Sequence, residues 1–332
     1  EENMTDKIYE KPFLTYDQQI DKLVDEYDLI VQDRNIAKRL LSSFSYYDLI
    51  NGYKECFMED NSYKRRVSIE NLYTFLTFDR TFQSILLKYS IYVENRFKNI
   101  LAYEISEKYG VDMPEYLEKS NYKNTKRSSD VLDNLNKIPT EKIVLNPTKH
   151  YLEKNHIPAW ILLKNATFND SIDLFINLKN ENFSLVCKEL FCNFDNLQRD
   201  YVNEFAKNSL IIVRKFRNKI AHNLKFVTYR THKNQLFIKK LSSTYGGSLI
   251  EGEDFEVKRG RCDPYAMIIS LTTLLNEDFL ITRFFQELSG AILSLDLDST
   301  GLGNDIFKKY CEVTNIPTNI TDRFQHYIEN LK

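Results

Sequence analysis

The stretch "IENLYTFLTFDRTFQSILLKYSIYVENRFKNILAYEISEKYG", residues 69–110, decides the fold. Apolar residues recur every three or four positions along it, which is the period of an α-helix with a buried side. The run predicts one or two long helices that end at Gly110, because glycine commonly follows the last residue of a helix. Charged residues such as Glu94 and Arg96 interrupt the apolar pattern, and half-buried pairs of this kind usually fix helix packing.

Helices are also predicted on both sides of this stretch. Thr15 followed by Gln18 has the pattern of a capping box, and Asp33 is the expected N-cap of the next helix. Residues 226–241 are an exception, because they alternate with a period of two around a polar turn at His232–Asn234. That alternation predicts a β-hairpin.

The expected fold is therefore mainly α, a helical bundle with one small β-hairpin. Three regions are predicted: an N-terminal helical region over 1–68, a helical core over 69–296 that carries the hairpin near 226–241, and a C-terminal tail or helix over 297–332. Glycine and proline are few, 9 and 7 in 332 residues, which favours long helices over a turn-rich β architecture.

The composition predicts a cytoplasmic protein that uses no cofactor and no metal. No uncharged apolar run reaches the roughly 20 residues that span a bilayer, and the first residues lack the basic and apolar regions of a signal peptide. The five cysteines are scattered and include no CxxC pair, so a structural zinc site is not expected. No GxSxG, P-loop or GxGxxG sequence occurs either.

Charge is unevenly distributed along the chain, whose net charge is only −2. Between Glu204 and Glu251 there are ten basic residues and no acidic one, which leaves 35 basic against 47 acidic residues elsewhere. Such a concentration of positive charge is typical of a surface that binds phosphate. A solvated basic face without a ligand would have the same composition.

The densest part of this basic segment is "VRKFRNKIAHNLKF", residues 213–226. On a helix, Arg217, Asn218 and His222 lie opposite the apolar residues from Ile212 to Leu224 that should face the core. An arginine matches phosphate geometry, and an imidazole with an ordinary pKa of about 6.5 transfers protons near neutral pH. RNA supplies its own nucleophile, the 2′-hydroxyl, so these groups suit RNA cleavage without a metal.

Each of these residues receives a predicted role. Arg217 would stabilise the phosphate, His222 would transfer protons, and Asn218 would orient the imidazole or bind the phosphate. The neighbouring basic residues would guide the RNA backbone; they are Arg214, Lys215, Lys219, Lys225, Arg230 and Lys233.

The R-x4-H spacing of "RNKIAH", with asparagine directly after arginine, resembles the motif of HEPN ribonucleases. The wider chain resembles the bacterial abortive-infection Abi_2 group, the AbiD/AbiF-like proteins, through "KPFLTYDQQIDKL", "SYYDLINGY", "FDRTF…YVENRFKNILAYEIS", "IPAWILLKNATF" and "FRNKIAHN". The resemblance implies a HEPN-like helical bundle that cleaves or binds RNA in anti-phage defence. The chain departs from the group at Asn169, where a glycine often follows the tryptophan segment.

The resemblance also implies that two motifs must meet to build one site. This chain has one R-x4-H sequence, so a homodimer is expected, with the second motif on the partner subunit. A small structured non-coding RNA is a second expected partner. Two alternatives stay open: a non-catalytic RNA-binding module that holds such an RNA, and a protein that binds another protein through its aromatic surface and carries a vestigial motif.

Overall fold

The computed structural model describes residues 11–64, 66–140, 145–154, 156–191, 199–242, 248–296 and 303–331. Within these ranges nearly all regular secondary structure is helical, and the only sheet has two strands. The prediction of a mainly α fold with one small β-hairpin is therefore confirmed.

The helices and strands are numbered here in chain order. The first group is α1 (Tyr16–Asp25), α2 (Arg34–Tyr46), α3 (Lys54–Phe57), β1 (Met58–Glu59), β2 (Ser62–Tyr63), α4 (Ile69–Tyr109), α5 (Met113–Tyr116), α6 (Lys126–Lys137), α7 (Asn146–Glu153) and α8 (Ala159–Asn165). The second group is α9 (Phe168–Asn177), α10 (Asn180–Leu190), α11 (Arg199–Ala221), α12 (Ile238–Leu241), α13 (Gly252–Glu256), α14 (Pro264–Leu275), α15 (Asp278–Asp296), α16 (Gly303–Thr314) and α17 (Ile320–Glu329). One π-helical turn covers Tyr47–Asn51, and 3-10 turns cover Lys119–Asn121 and Ile138–Thr140.

The chain forms two compact units. Unit 1 comprises Glu1–Thr81 and Ile292–Val313, and unit 2 comprises Phe82–Ala291 and Thr314–Lys332. Helices α4 and α15 contribute residues to both units, whereas the motif helix α11 lies entirely in unit 2. The domain boundaries expected from the sequence stay a prediction.

The local helix signals in the sequence are confirmed. The segment after Ile69 is one continuous helix of 41 residues, α4. Gly110 follows it at a φ of +88°, a backbone conformation that glycine adopts without strain. The capping box of Thr15 and Gln18 is present at α1, and the Asp33 side chain accepts two backbone N–H groups at the start of α2.

The predicted position of the hairpin, residues 226–241, is wrong. That segment contains turns followed by α12, and its backbone pairs elsewhere: Thr231 N–H donates to the carbonyl of Cys262 and Leu236 N–H to the carbonyl of Arg261. The alternating pattern in the sequence reflects alternating burial, with Leu236 and Ile238 buried on either side of exposed Phe237. Burial alternates here without two strands pairing.

The observed hairpin joins β1 and β2 through Asp60 and Asn61. Both residues have positive φ, +48° and +67°, as the two central residues of a tight hairpin turn require. Asparagine and aspartate tolerate this conformation better than other residues with a side chain. The pairing is antiparallel, with Met58 opposite Tyr63.

Unit 1 contains a buried carboxylate, Asp79, which is 1% exposed. Its two oxygens accept hydrogen bonds from the hydroxyl of Tyr53 at 2.7 Å and from that of Tyr310 at 3.0 Å. Burial and the nearby Asp79 charge raise the pKa of both tyrosines, so both hydroxyls stay protonated and donate. Buried polar groups are stable when they are hydrogen-bonded in this way.

Unit 2 is organised around α14, in which every residue is buried. A helix that is apolar on all sides is a core helix, and α11 packs against it. The α14 N-cap is Asp263, whose side chain accepts the backbone N–H groups of Ala266 and Gly260. Burial is the main influence on the Asp263 carboxyl and raises its pKa, while these hydrogen bonds oppose the rise.

Replacing Gly260 with alanine should destabilise unit 2. Gly260 has a φ of +76°, and an added Cβ would lie 2.7 Å from Ile269 Cδ1. Strain in the left-handed region and the clash together should cost about 2 kcal/mol or more of unfolding free energy. Urea denaturation measures this. The matched control is Gly252→Ala, since a Cβ there meets nothing within 4 Å; equal midpoints for the two variants would contradict the prediction.

Candidate nucleic-acid interface

Helix α11 holds the R-x4-H motif through its apolar side. Ile212, Val213 and Phe216 are fully buried, as the sequence pattern predicts. Phe216 also makes edge-on ring contacts with Phe226 and Tyr229, so the segment after the helix folds back onto it. The buried side fixes the rotation of α11 about its axis and thereby fixes which residues face solvent.

The motif helix ends earlier than predicted, at Ala221. Asn223 adopts a φ of +53°, its N–H donates to the carbonyl of Ile220, and Leu224 N–H donates to that of Lys219 at 2.9 Å. These two bonds form a Schellman motif, a common helix terminator in which asparagine can replace glycine. Leu224 is consequently 49% exposed, and its predicted place in the core is wrong.

His222 is therefore the C-cap residue of α11. Its backbone N–H still donates to the carbonyl of Asn218 at 3.1 Å, and its side chain is exposed. An imidazole in this position is attached to a capped helix end and is accessible to a ligand. Proton transfer to or from a bound molecule requires both conditions.

Arg217 is held from two sides. Its Nη1 donates to Asn218 Oδ1 at 3.2 Å, and its Nη2 lies 3.5 Å from Glu94 Oε2. The side chain remains 33% exposed, although its Nε is buried without a hydrogen-bond partner in the structure. The guanidinium is thus oriented by the protein and keeps donor capacity for an anion.

Glu94, on α4, joins Arg217 to a second cation. Its Oε1 lies 2.7 Å from the ammonium of Lys98, and both side chains are largely buried, 13% and 12% exposed. Lys98 also donates to the carbonyl of Ala166 at 2.7 Å, directly after α8. One carboxylate is shared by two cations, so this cluster carries a net positive charge beside the motif.

A second charged cluster lies one turn earlier on α11, at Arg214. Asp173 of α9 pairs with Arg127 of α6 and also accepts a hydrogen bond from Asn169. Burial is the main influence on the Arg214 guanidinium and lowers its pKa; Asp173 opposes the shift and Arg127 adds to it. Arg127 thus pairs with this carboxylate, and Arg214 lies close enough for the charges of both to act on it.

The other basic residues predicted to bind RNA have different surroundings. Lys215 donates to Asn234 Oδ1 at 2.8 Å, and Lys219 lies 4.7 Å from the centre of the Tyr229 ring. Arg230 donates to the carbonyls of Val227 and Tyr229, so its guanidinium is hydrogen-bonded to the backbone directly before it. The side chains of Lys225 and Lys233 are exposed.

Burial is also the main influence on the Lys215 ammonium and lowers its pKa. Repulsion by the charges of Arg214 and Lys233 lowers this pKa further. Lys215, Arg214 and Lys233 thus lie close enough together for their charges to act on one another. Closely spaced cations of this kind attract a polyanion.

Arg217, Asn218 and His222 thus lie together at one end of α11, with the predicted Arg214 one turn away. The sequence does not identify the residues that hold them, Glu94, Lys98, Arg127 and Asp173. Glu94 is visible in the sequence as a charged residue in an apolar pattern, which suggests packing and does not reveal its partner.

Two further properties of the described residues bear on function. No three His, Cys, Asp or Glu side chains in this part of the chain lie close enough together to hold a metal ion. None of the helices in the described ranges has the length and apolar character needed to cross a membrane.

Residues 39–227, more than half of the chain, match the family described as Abi-like protein. No curated protein and no solved structure matches the chain. The chain therefore belongs to the Abi-like family of abortive-infection proteins. The matched range runs from α2 to just beyond the motif helix, and it includes both charged clusters.

Proposed function

We propose that this abortive-infection protein is a metal-independent endoribonuclease of the HEPN type, AbiD/AbiF-like, which acts in the cytoplasm as a homodimer. One observation carries the proposal: Arg217 is oriented by Glu94 and Asn218 while His222 stays exposed at the capped end of the same helix. A fixed cation and an accessible imidazole are the two groups that transesterification of RNA needs.

The proposed reaction forms one bond and breaks another. The 2′-oxygen of the RNA attacks the adjacent phosphorus, and its proton passes to a base. The bond from phosphorus to the 5′-oxygen breaks, and that oxygen receives a proton. His222 serves in proton transfer, Arg217 stabilises the charge on the phosphorane oxygens, and Asn218 holds Arg217 in place or contacts the phosphate.

A homodimer would complete the site. Each chain contributes one motif, and the reaction transfers two protons. These transfers need two imidazoles, or one imidazole that first accepts a proton and then donates it. Leu224, two residues after His222, is 49% exposed and leaves an apolar side chain in solvent beside the motif. In the proposed dimer it is covered by the partner subunit.

A second candidate function is a non-catalytic module that holds a small structured non-coding RNA. The contact between Glu94 and Arg217 favours it, because this contact occupies one edge of the guanidinium that a phosphate would otherwise bind. In this case Arg217 contributes to affinity only, and RNA recovered with the protein is intact.

Replacing Glu94 with glutamine separates the two functions. Glutamine keeps the size of the side chain and removes its charge, so Arg217 is less well oriented and faces Lys98 without a counter-ion. If Glu94 positions a catalytic arginine, kcat for a defined RNA oligonucleotide should fall about tenfold with little change in KM.

The control for this variant is Glu104→Gln on the same helix. Glu104 is half-buried, and the charges that act on it are those of Glu107 and Glu189. Its substitution should leave the kinetics unchanged. Tighter RNA binding by Glu94→Gln, with no cleavage by this variant or by the wild-type protein, would support the module that only holds RNA.

The direct test of the function is to incubate the purified protein with bacterial RNA in the presence of EDTA. The proposal predicts fragments from the wild-type protein and none from Arg217→Ala. Intact RNA in both samples, with RNA bound to the protein at moderate salt, would establish the second candidate instead.

A further inference from the structure

A basic cavity lies beside α6, outside the acid-free segment. Its volume is about 520 Å³, within the range of small-ligand sites. Among the described residues its lining includes three lysines and three serines and no acidic residue; these are Lys119, Lys123, Lys179, Ser120, Ser128 and Ser129. Ammonium and hydroxyl groups are the donors that bind phosphate oxygens.

Lys123 is the most constrained of these lysines. It donates to the carbonyl of Ile176 at 2.9 Å, and its ammonium lies 5.3 Å from the centre of the Phe183 ring. Burial lowers its pKa, and the charge of Lys207 on α11 lowers it further. The Lys123 ammonium is therefore held in place in the cavity wall. The charge that acts on it among the described residues is that of another cation, Lys207.

Helix α6 forms another wall of the cavity. Ser128 and Ser129 lie in its first turn, and the Thr125 side chain caps it by accepting the N–H of Ser128 at 3.0 Å. The N-terminal end of a helix of 12 residues adds a partial positive charge to that of the lysines.

Helix α11 packs against α9 and α10, whose residues contact the Lys123 ammonium, and it carries a row of cations that leads toward the motif. Lys207 and Arg214 are seven residues apart and so lie on one face of the helix, the face that also carries Arg217. Lys207 acts on Lys123, and Arg127 of α6 acts on Arg214. From Lys207 to Arg217 the helix rises about 15 Å, the length of about four stacked nucleotides.

We propose that this cavity is a phosphate-binding subsite for an RNA strand whose scissile phosphate lies at Arg217 and His222. The strand follows the α11 face past Arg214, and the cavity holds a backbone phosphate about four nucleotides from the cleavage point. The subsite fixes the register of the strand and contributes affinity. This inference rests on the proposed RNA-directed function and adds to it a defined path for the substrate.

The test uses the full chain with His222→Ala, so that binding is measured without cleavage. Single-stranded RNA oligonucleotides of four and twelve nucleotides are titrated by fluorescence anisotropy at several salt concentrations. The variant Lys119→Gln/Lys179→Gln changes two exposed lysines of the cavity, and Lys137→Gln/Lys149→Gln changes two exposed lysines outside its lining.

The cavity variant should weaken binding of the twelve-nucleotide strand about tenfold and reduce the slope of log Kd against log salt by about one to two. The control variant should leave both unchanged, and the four-nucleotide strand, too short to reach from the motif, should bind all variants alike. In the protein that retains His222, the cavity variant should broaden the distribution of cleavage positions.

Unchanged affinity and unchanged cleavage positions in the cavity variant would overturn the inference while leaving the nuclease proposal intact. Loss of affinity in the cavity variant without any cleavage by the wild-type protein would support the subsite and refute the nuclease. Binding of inorganic phosphate or a mononucleotide in competition with the long strand supports the subsite; tight binding of a mononucleotide with none of RNA would overturn it.

Discussion

Replacing His222 with alanine should lower the rate of RNA cleavage by a factor of about 10² to 10⁴, the usual contribution of a group that transfers a proton in the transition state. The side chain is exposed and lies outside the core, so the substitution removes no packing. The Schellman bonds that terminate α11 involve the backbone of Asn223 and Leu224 and survive the change. RNA affinity should fall by much less than the rate.

The matched control is His326→Ala. His326 is also exposed on a helix, α17, and lies far along the chain from the motif. Rates are measured on a labelled RNA, with circular dichroism to verify the fold and anisotropy to verify binding. If His222→Ala and His326→Ala cleave RNA at the wild-type rate, the role of His222 in proton transfer is refuted.

The largest loss of stability is expected from Arg323→Ala in α17. The Arg323 side chain is 1% exposed and contacts Asp254 at 2.6 Å and Glu251 at 2.8 Å. It also donates to the carbonyl of Leu249. Truncation leaves acidic groups buried with fewer partners, and Asp254 keeps only Arg259 as a described cationic contact. Breaking a buried pair in this way costs about 3–5 kcal/mol of unfolding free energy.

Arg34→Ala is the control for this prediction. Arg34 makes an equally short contact with Asp21, 2.7 Å, but its side chain is 46% exposed. Solvent screening makes exposed ion pairs weak, so the urea midpoint should stay essentially at the wild-type value. Similar midpoints for Arg34→Ala and Arg323→Ala would show that burial does not determine the strength of these pairs.

Much of the fold could be predicted because its signals are local. The period of α4 and the stop at Gly110 are determined by neighbours in sequence, as are the caps at Thr15 and Asp33. The hairpin at residues 226–241 was mispredicted because period-two burial does not specify a backbone partner. There the partners are Arg261 and Cys262, which no local pattern could indicate.

The candidate site was predictable only in part, for the same reason. Arg217, Asn218 and His222 lie close together in sequence, so helical geometry places them together. The contact between Glu94 and Arg217 joins residues more than one hundred positions apart, and the contact of Arg127 with Asp173 joins two further helices. Tertiary packing brings these pairs together, and the sequence pattern shows only that each residue is charged.

The proposed function requires that this Abi-like protein cut RNA through the 2′-hydroxyl with Arg217 and His222. The most direct measurement is to treat one RNA strand, and the same strand with 2′-deoxy nucleotides, with the purified protein in EDTA and to identify the product ends. The proposed mechanism predicts fragments ending in a 2′,3′-cyclic phosphate from the RNA, an intact 2′-deoxy strand, and far slower formation of the same fragments with His222→Ala. Cleavage of both strands at the same positions, or equal cleavage by the wild-type protein and His222→Ala, would contradict it.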